Sequence, residues 1–239
     1  MNADVVLLPS QLTPNHLIGR SCVVFDVLRA TTTMAYALAA GVREIRLFDS
    51  LDAAQAAAGA FAGARLLCGE SNCLPPPGFD LGNSPGQFQP AHCGATVFMC
   101  TTNGTRALLS AWSAAGLYTG ALVNASAVAR RLREDGRDAV LLCAGTNGAV
   151  AMEDMLGAGA ILDALAAEAA SDGARIALSL FLASRDRLSD VLRDTEGGRN
   201  VLAAGLPRDI EFAARLDALD VVGVASGDPL VVRASTAAG

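Results

Sequence analysis

Three times along this chain a run of apolar, often β-branched residues passes through a short polar turn straight into a helix-forming stretch. The first is Val23-Val-Phe-Asp-Val-Leu-Arg-Ala-Thr-Thr-Thr33, and the second is Val97-Phe-Met-Cys-Thr-Thr-Asn-Gly-Thr-Arg106. The third is Val140-Leu-Leu-Cys-Ala-Gly-Thr-Asn-Gly148, with Glu153 and Asp154 shortly after it. A run such as Ala139-Val-Leu-Leu-Cys143 does not alternate in polarity, so it fits a strand buried on both faces of a parallel sheet. A strand that turns at once into a helix is the unit of an α/β fold. The expected fold class is therefore α/β, a three-layer α/β/α arrangement around a mainly parallel or mixed sheet. Turns at the carboxyl edge of such a sheet are where ligands bind.

The same patterning predicts strands at Val5–Leu8, Ser21–Phe25, Glu44–Leu47, Leu66–Cys68, Ala95–Cys100, Leu117–Thr119, Ala139–Cys143 and Val221–Val224. It predicts helices at Thr32–Ala40, Leu51–Ala62, Thr105–Ala114, Ala125–Glu134, Glu153–Ala170 and Ala174–Ala183, with further helix within Asp186–Arg193, Gly198–Ala204 and Asp209–Leu216. No linker, charge block or low-complexity segment divides the chain. Residues 1–239 read as one α/β domain, or as two intimately packed lobes. One long irregular stretch, Gly69–Cys93, carries Pro75, Pro76, Pro77, Pro85 and Pro90. A loop of that length in a compact domain is usually functional.

Composition removes several classes of function. Hydrophobic residues make up 52% and charged residues 18%, which excludes intrinsic disorder. The net charge of −6 speaks against a nucleic-acid-binding face. All 18 basic residues are Arg, so Schiff-base chemistry and a Walker A phosphate loop are both excluded. The two histidines, His16 and His92, leave few candidates for a zinc site or a Ser-His-Asp triad. Met1-Asn2-Ala3-Asp4 has no basic region ahead of an apolar stretch and does not read as a signal peptide. The uncharged run Ala107–Ala129 is broken by Gly116, Gly120 and Asn124 and does not read as a membrane span. Six cysteines without a CxxC spacing read as reduced thiols, with Cys100 at a strand end the candidate if one is catalytic. These features together predict a cytoplasmic location without membrane or nucleic-acid partners.

The three turns suit an anion. Helix N-termini offer unpaired N–H groups and a positive dipole end. Thr31 and Thr32 at the first turn, and Thr101, Thr102, Asn103, Gly104 and Thr105 at the second, add side-chain and backbone donors. Arg29 and Arg106 supply planar forks for phosphate, sulfonate or carboxylate. The competing reading is that these residues only cap helices. A set of acids stands beside them: Asp26, Glu70, Asp80, Glu153 and Asp154. Acids next to an anion site repel the anion unless a hard cation lies between, which points to Mg²⁺ and phosphoryl chemistry. The bland alternatives are that Glu153 and Asp154 complement a helix dipole and that Asp26 pairs with Arg29.

Several blocks, in order, resemble the 2-phosphosulfolactate phosphatase family of coenzyme M biosynthesis. They are Asp26-Val-Leu-Arg-Ala-Thr-Thr-Thr33, Gly69-Glu70, Gly78-Phe-Asp-Leu-Gly-Asn-Ser-Pro85, Thr101-Thr-Asn-Gly-Thr-Arg106, Asn124-Ala125, and Cys143-Ala-Gly-Thr146 with Glu153-Asp154. The resemblance runs from about Asp4 to Asp220. It departs after Val221–Val224, where Ala225-Ser226-Gly227 stands in place of a Val-Pro pair. It implies a Mg²⁺-dependent phosphatase with its own α/β/α fold, releasing phosphate from 2-phospho-3-sulfolactate or a related phosphorylated 2-hydroxy acid. Under that implication Asp26, Arg29 and Arg106 carry catalysis, and Asp26, Glu70, Asp80, Glu153 and Asp154 are the pool of metal ligands. Asn83, Ser84 and the Thr/Asn turns contact the substrate, a small phosphorylated and sulfonated acid. The nucleophile is either water or a carboxylate such as Asp26, and His92 reads as a solvated loop histidine. A homodimer is compatible with this reading. A haloacid-dehalogenase-type phosphatase is disfavoured, because no acid stands two residues after Asp26 and no Lys exists. A non-catalytic anion-binding module is the remaining alternative.

Overall fold

The computed structural model describes residues 1–166 and 169–235. The chain runs β1 (Ala3–Val6), α1 (Pro14–Leu17), β2 (Ser21–Phe25), α2 (Ala30–Ala39), β3 (Glu44–Leu47), α3 (Leu51–Gly59) and β4 (Arg65–Gly69). It continues with β5 (Thr96–Cys100), α4 (Gly104–Ser110), β6 (Gly116–Gly120), α5 (Ala125–Asp135), β7 (Ala139–Cys143), α6 (Met152–Leu165) and α7 (Asp172–Ser184). Then come α8 (Leu188–Asp194), α9 (Glu196–Ala203), α10 (Pro207–Ala213), β8 (Gly223–Ser226) and β9 (Val231–Ala234).

The nine strands form one mixed sheet in the order β1-β7-β2-β6-β8-β9-β3-β5-β4. All pairings among β1, β7, β2 and β6 are parallel, as are those among β3, β5 and β4. Between the two groups stand three antiparallel pairings, β6–β8, β8–β9 and β9–β3. Three reversals leave the two parallel halves running in opposite senses. On a flat sheet their carboxyl ends would lie at opposite edges, not at the single edge expected from the sequence. Strand twist of roughly 20–25° per pair swings β5 through about 100–125° relative to β2 over five steps. The sheet therefore curls, and the loops after β2, β4, β5 and β7 converge.

One core fills the hollow of this curl. It joins Met34, Ala37 and Leu38 of α2 and Ala107 and Leu108 of α4 to strands of both halves, among them Val24, Ile45, Val97, Leu142 and Val232. On the other face α5, α6 and α7 cover the first half, with Val23, Phe25, Leu141 and Ile161 at the centre. Alternate residues of β5 face opposite ways, so Phe98 and Cys100 pack with Leu67 under α3. These are the three expected layers.

Several boundaries differ from the sequence expectation, among them the helices expected to end at Ala62, Ala114 and Leu216, which end at Gly59, Ser110 and Ala213. β1 begins at Ala3 rather than Val5, because its register places Ala3 opposite Ala139. The helix expected over Glu153–Ala170 ends at Leu165, with Ala166 in the left-handed region (φ 48°), and Ala167 and Glu168 lie outside the described residues. The last expected strand shifts from Val221–Val224 to Gly223–Ser226. Gly223 is needed in it, since a Cβ there would stand 2.4 Å from Thr119 Oγ1 and 2.9 Å from Val232 Cγ1. Strand β9 is absent from the sequence expectation.

Gly159 sets the crossing of α6 and α7. A Cβ at this position would lie 2.2 Å from the Ala177 carbonyl oxygen and 2.7 Å from Phe181 Cβ. In an ordinary helix interior Gly→Ala is stabilising by up to about 1 kcal/mol. Here Gly159→Ala is expected to destabilise by about 2–3 kcal/mol through overpacking, lowering the melting temperature by roughly 4–12 °C. A melt at or above that of the wild type would show that the helices separate freely.

Candidate active site

The convergent loops enclose a cleft of about 480 Å³. Its wall takes Asp26, Leu28 and Arg29 from the turn after β2, and Glu70, Asn72, Cys73 and Leu74 from the loop after β4. Asn83, Thr102 and Asn103, Thr146 and Asn147, and Gly197, Asn200, Ala203 and Ala204 around α9 complete it. Both halves of the sheet thus contribute.

Asp26 ends the apolar strand β2 and sits at the junction of two helix N-termini. Ala30 N–H, in the first turn of α2, donates to Asp26 Oδ1 at 3.1 Å, and the Gly104 amide of α4 also donates to this carboxylate. Gly104 has to be glycine for this approach, because a Cβ would lie 2.7 Å from Asp26 Oδ2 and 2.6 Å from Ala30 Cβ. Burial and the neighbouring Glu70 and Glu153 carboxylates outweigh those amide bonds and push the Asp26 carboxyl up to about 6.

Glu70 faces the same cleft. Its Oε1 accepts from Thr102 N–H at 2.8 Å and Thr102 Oγ1 at 2.6 Å, and its Oε2 accepts from Cys73 N–H at 3.1 Å. Among the described residues Arg29 is the only cation in the cleft wall. Its Nη1 donates to Asp209 Oδ2 at 2.7 Å and to Ser84 Oγ at 3.1 Å, and its Nη2 donates to the Cys73 carbonyl at 2.5 Å. Arg29 therefore pairs with Asp209, not with Asp26. Asn83 is buried beside the cleft, and its Oδ1 has no partner among the described residues.

The other acids are placed differently. Asp154 is buried with both oxygens in use, Oδ1 accepting from Val27 N–H at 2.8 Å and Oδ2 from Gly145 N–H at 3.0 Å. It bolts the first turn to the third. Burial, then the charges of Asp26 and Glu153, raise its carboxyl well above the usual range. Glu153 lies behind the wall against the first turn of α9, facing Thr195 and Gly197, with its Oε2 buried and unpartnered among the described residues. A Cβ on Gly197 would stand 1.9 Å from Glu153 Oε1, so glycine there lets the carboxylate approach. Asp80 is exposed and accepts from Leu67 N–H at 2.7 Å, away from the cleft.

Several expected substrate contacts are instead local caps. Thr31 Oγ1 donates to the Asp26 carbonyl and Thr32 Oγ1 to the Val27 carbonyl. Thr101 and Thr105 bond each other reciprocally through hydroxyl and backbone. Arg106 is exposed on α4 and lies outside the cleft wall. Cys100 is buried, and His92 pairs with its own loop at Gln89, both outside the wall. Ser84 is held by Arg29 and Asp209.

Sequence reasoning missed Asp209, Asn72, Asn147 and Asn200. Asn72 and Asn147 each take φ 52° in a two-residue turn, closed by the pairs Ser71–Leu74 and Thr146–Ala149. Asn147-Gly148 carried the usual sequence signal of such a turn. Asp209 reads in the sequence as the start of the helical stretch Asp209–Leu216, because its partner stands 180 residues away.

Among the described residues no three His, Cys, Asp or Glu side chains converge as a ready metal cage. Mg²⁺ does not need one, since it is commonly held by one or two carboxylates with waters and substrate phosphate. Asp26, Glu70 and the unpartnered amide oxygen of Asn83 fit that donor set. No helix among the described residues is long and apolar enough to cross a membrane.

Comparison with known proteins gives a single answer. The 2-phosphosulpholactate phosphatase family model matches residues 6–228. A probable 2-phosphosulfolactate phosphatase of Carboxydothermus hydrogenoformans is 40% identical over 225 residues, covering 93% of this chain and 92% of that protein. Proteins of the same description from a Synechococcus strain (JA-3-3Ab) and from Pseudothermotoga lettingae are 40% and 36% identical. The first match covers 90% of this chain and 91% of its relative, and the second 97% and 99%. On the length of these matches, the chain belongs to the 2-phosphosulpholactate phosphatase family.

Proposed function

We propose that this protein is a phosphoric monoester hydrolase that converts 2-phospho-3-sulfolactate to 3-sulfolactate and inorganic phosphate, with Mg²⁺ as its cofactor. The observation that carries the reading is a cleft of about 480 Å³ in which Asp26 and Glu70 stand beside Arg29, itself charge-paired by Asp209. Such a wall has no net positive charge to offer a substrate bearing phosphate, carboxylate and sulfonate. A cation is needed to bring the two together. Asp26 and Glu70 would hold it, and it would neutralise the non-bridging phosphate oxygens.

The chain's own groups do the rest. The N–H edge of Arg29 that points away from Asp209 orients a phosphate oxygen by charge-assisted hydrogen bonding. Asp26, fixed by the Ala30 and Gly104 amides, is aimed as the anionic group at the reacting phosphorus, either attacking it or taking the proton of the attacking water. A cytoplasmic location belongs to this reading, and the six unpaired thiols support it.

Purified protein incubated with 2-phospho-3-sulfolactate is expected to release phosphate with added Mg²⁺ and to lose that activity in EDTA, with Mg²⁺ restoring it. Undiminished turnover after exhaustive chelation would remove the metal from the reading. No phosphate release at any Mg²⁺ concentration would overturn the activity itself and favour an anion-binding protein.

A further inference from the structure

Asp209 reaches Arg29 and Ser84 from α10, far along the chain from both. Its Oδ2 accepts two hydrogen bonds of 2.7 Å, one from Arg29 Nη1 and one from Ser84 Oγ. The Arg29 and Asp209 side chains are only 3% and 6% exposed, so the pair is withdrawn from water. Nη1 of Arg29 also donates to Ser84 Oγ, closing a three-membered ring of contacts. On the other arm, Nη2 donates to the carbonyl of Cys73. A guanidinium has five N–H donors in a fixed plane, and these bonds use three of them. Fixing two nitrogens of a planar group fixes the group, so the direction of its remaining donors is set by Asp209, Ser84 and Cys73 together.

Resting on the phosphatase reading above, we infer that Asp209 is a positioning residue: it acts on the phosphate through Arg29, by locking the guanidinium plane with its unused N–H edge toward the cleft. Asp209 is absent from the cleft wall, whereas Arg29 is part of it. A purely stabilising ion pair is a poor alternative account. Buried pairs of this kind are often no better for stability than apolar residues of similar volume. What they supply is a fixed geometry, and here the fixed partner is, among the described residues, the only cation in the cleft wall.

The test is a double-mutant cycle on Asp209→Asn, Arg29→Met and the double variant, all in the presence of Mg²⁺. Two readouts are taken at 25 °C: KM and kcat on 2-phospho-3-sulfolactate, and the Kd of inorganic phosphate by calorimetry. Asp209→Asn is expected to weaken phosphate binding and raise KM by about 10-fold or more. In the Arg29→Met background the same change is expected to have no further effect, because the group it orients is gone. Two results would overturn the inference. One is an Asp209→Asn protein that melts earlier yet keeps KM, kcat and phosphate Kd within about twofold. The other is a full multiplicative effect in both backgrounds. If Arg29→Met fails to fold, the phosphate Kd of Asp209→Asn decides alone. Wild-type protein that binds phosphate but leaves the ester intact would overturn the activity while the phosphate Kd still tests Asp209. Wild-type protein that binds no phosphate would overturn the anion contact and this inference with it.

Discussion

Asp26→Asn is expected to lower phosphate release at least about 100-fold, on the order of 2.7 kcal/mol of lost transition-state stabilisation, without loss of the fold. The substitution is isosteric and keeps an acceptor for the Ala30 amide. It removes the charge needed to hold a cation, attack phosphorus or accept a proton, and each of those losses is severe. The stability effect has a definite sign. Burial, with Glu70 and Glu153 nearby, raises this carboxyl from 3.8 to about 6. The folded state therefore binds the proton more tightly than the unfolded chain. In metal-free protein the ionised carboxylate costs stability in full above about pH 6, and that cost vanishes as pH falls below 4. Asp26→Asn should escape it, gaining about 1–3 kcal/mol at pH 8, less what the weakened Gly104 contact takes back, and gaining nothing at pH 4. Thermal melts at the two pH values beside phosphate-release assays check both halves. A lower melting temperature at pH 8 with kcat nearly intact would make Asp26 a scaffold residue and move the central role to Glu70.

The second large effect separates two arginines that look alike in the sequence. Arg29→Lys should cut kcat/KM by roughly 30- to 1,000-fold, or about 2–4 kcal/mol. Lysine keeps the charge but has one nitrogen, so it cannot hold Asp209, Ser84 and the Cys73 carbonyl while presenting a donor to phosphate. Arg106→Lys should stay within about threefold of wild type, because Arg106 is exposed and outside the cleft wall. The measurement is steady-state kinetics on the two purified variants. The reverse order of effects would move the anion site to the N-terminus of α4.

Much of this was legible in the sequence, and what was not has a common cause. The strand-turn-helix runs identified β2, β5 and β7 because burial on both faces leaves an unbroken apolar signature. Glu70 was legible as an acid at the end of an apolar run, and Asp26 likewise. Thr31, Thr32, Thr101 and Thr105 were ambiguous, because capping a helix and binding an anion demand the same short polar side chains. Their hydroxyls turn back on their own backbone. Asp80 and Asp154 show the same ambiguity for acids, each being taken up by backbone amides. Strand β9 and the opposed senses of the two half-sheets had no local signature. Val231-Val-Arg233 is too short to declare itself, and sheet order is a property of long-range pairing.

Strands β8 and β9 are, among the described strands, the only bridge between the two parallel halves. That makes the order of synthesis matter. Every strand of both halves has been made by Cys143, yet the hairpin that joins them begins at Gly223. While the nascent chain grows through the residues between, β6 and β3 each carry an edge whose N–H and C=O groups have nothing to pair with. Such edges are templates for other chains, so the interval on the ribosome is the aggregation-prone period for this molecule. The catalytic cleft draws on both halves, so an unjoined chain has no complete cleft. A nascent phosphatase of this kind acquires its chemistry and sheds its aggregation hazard in one late step.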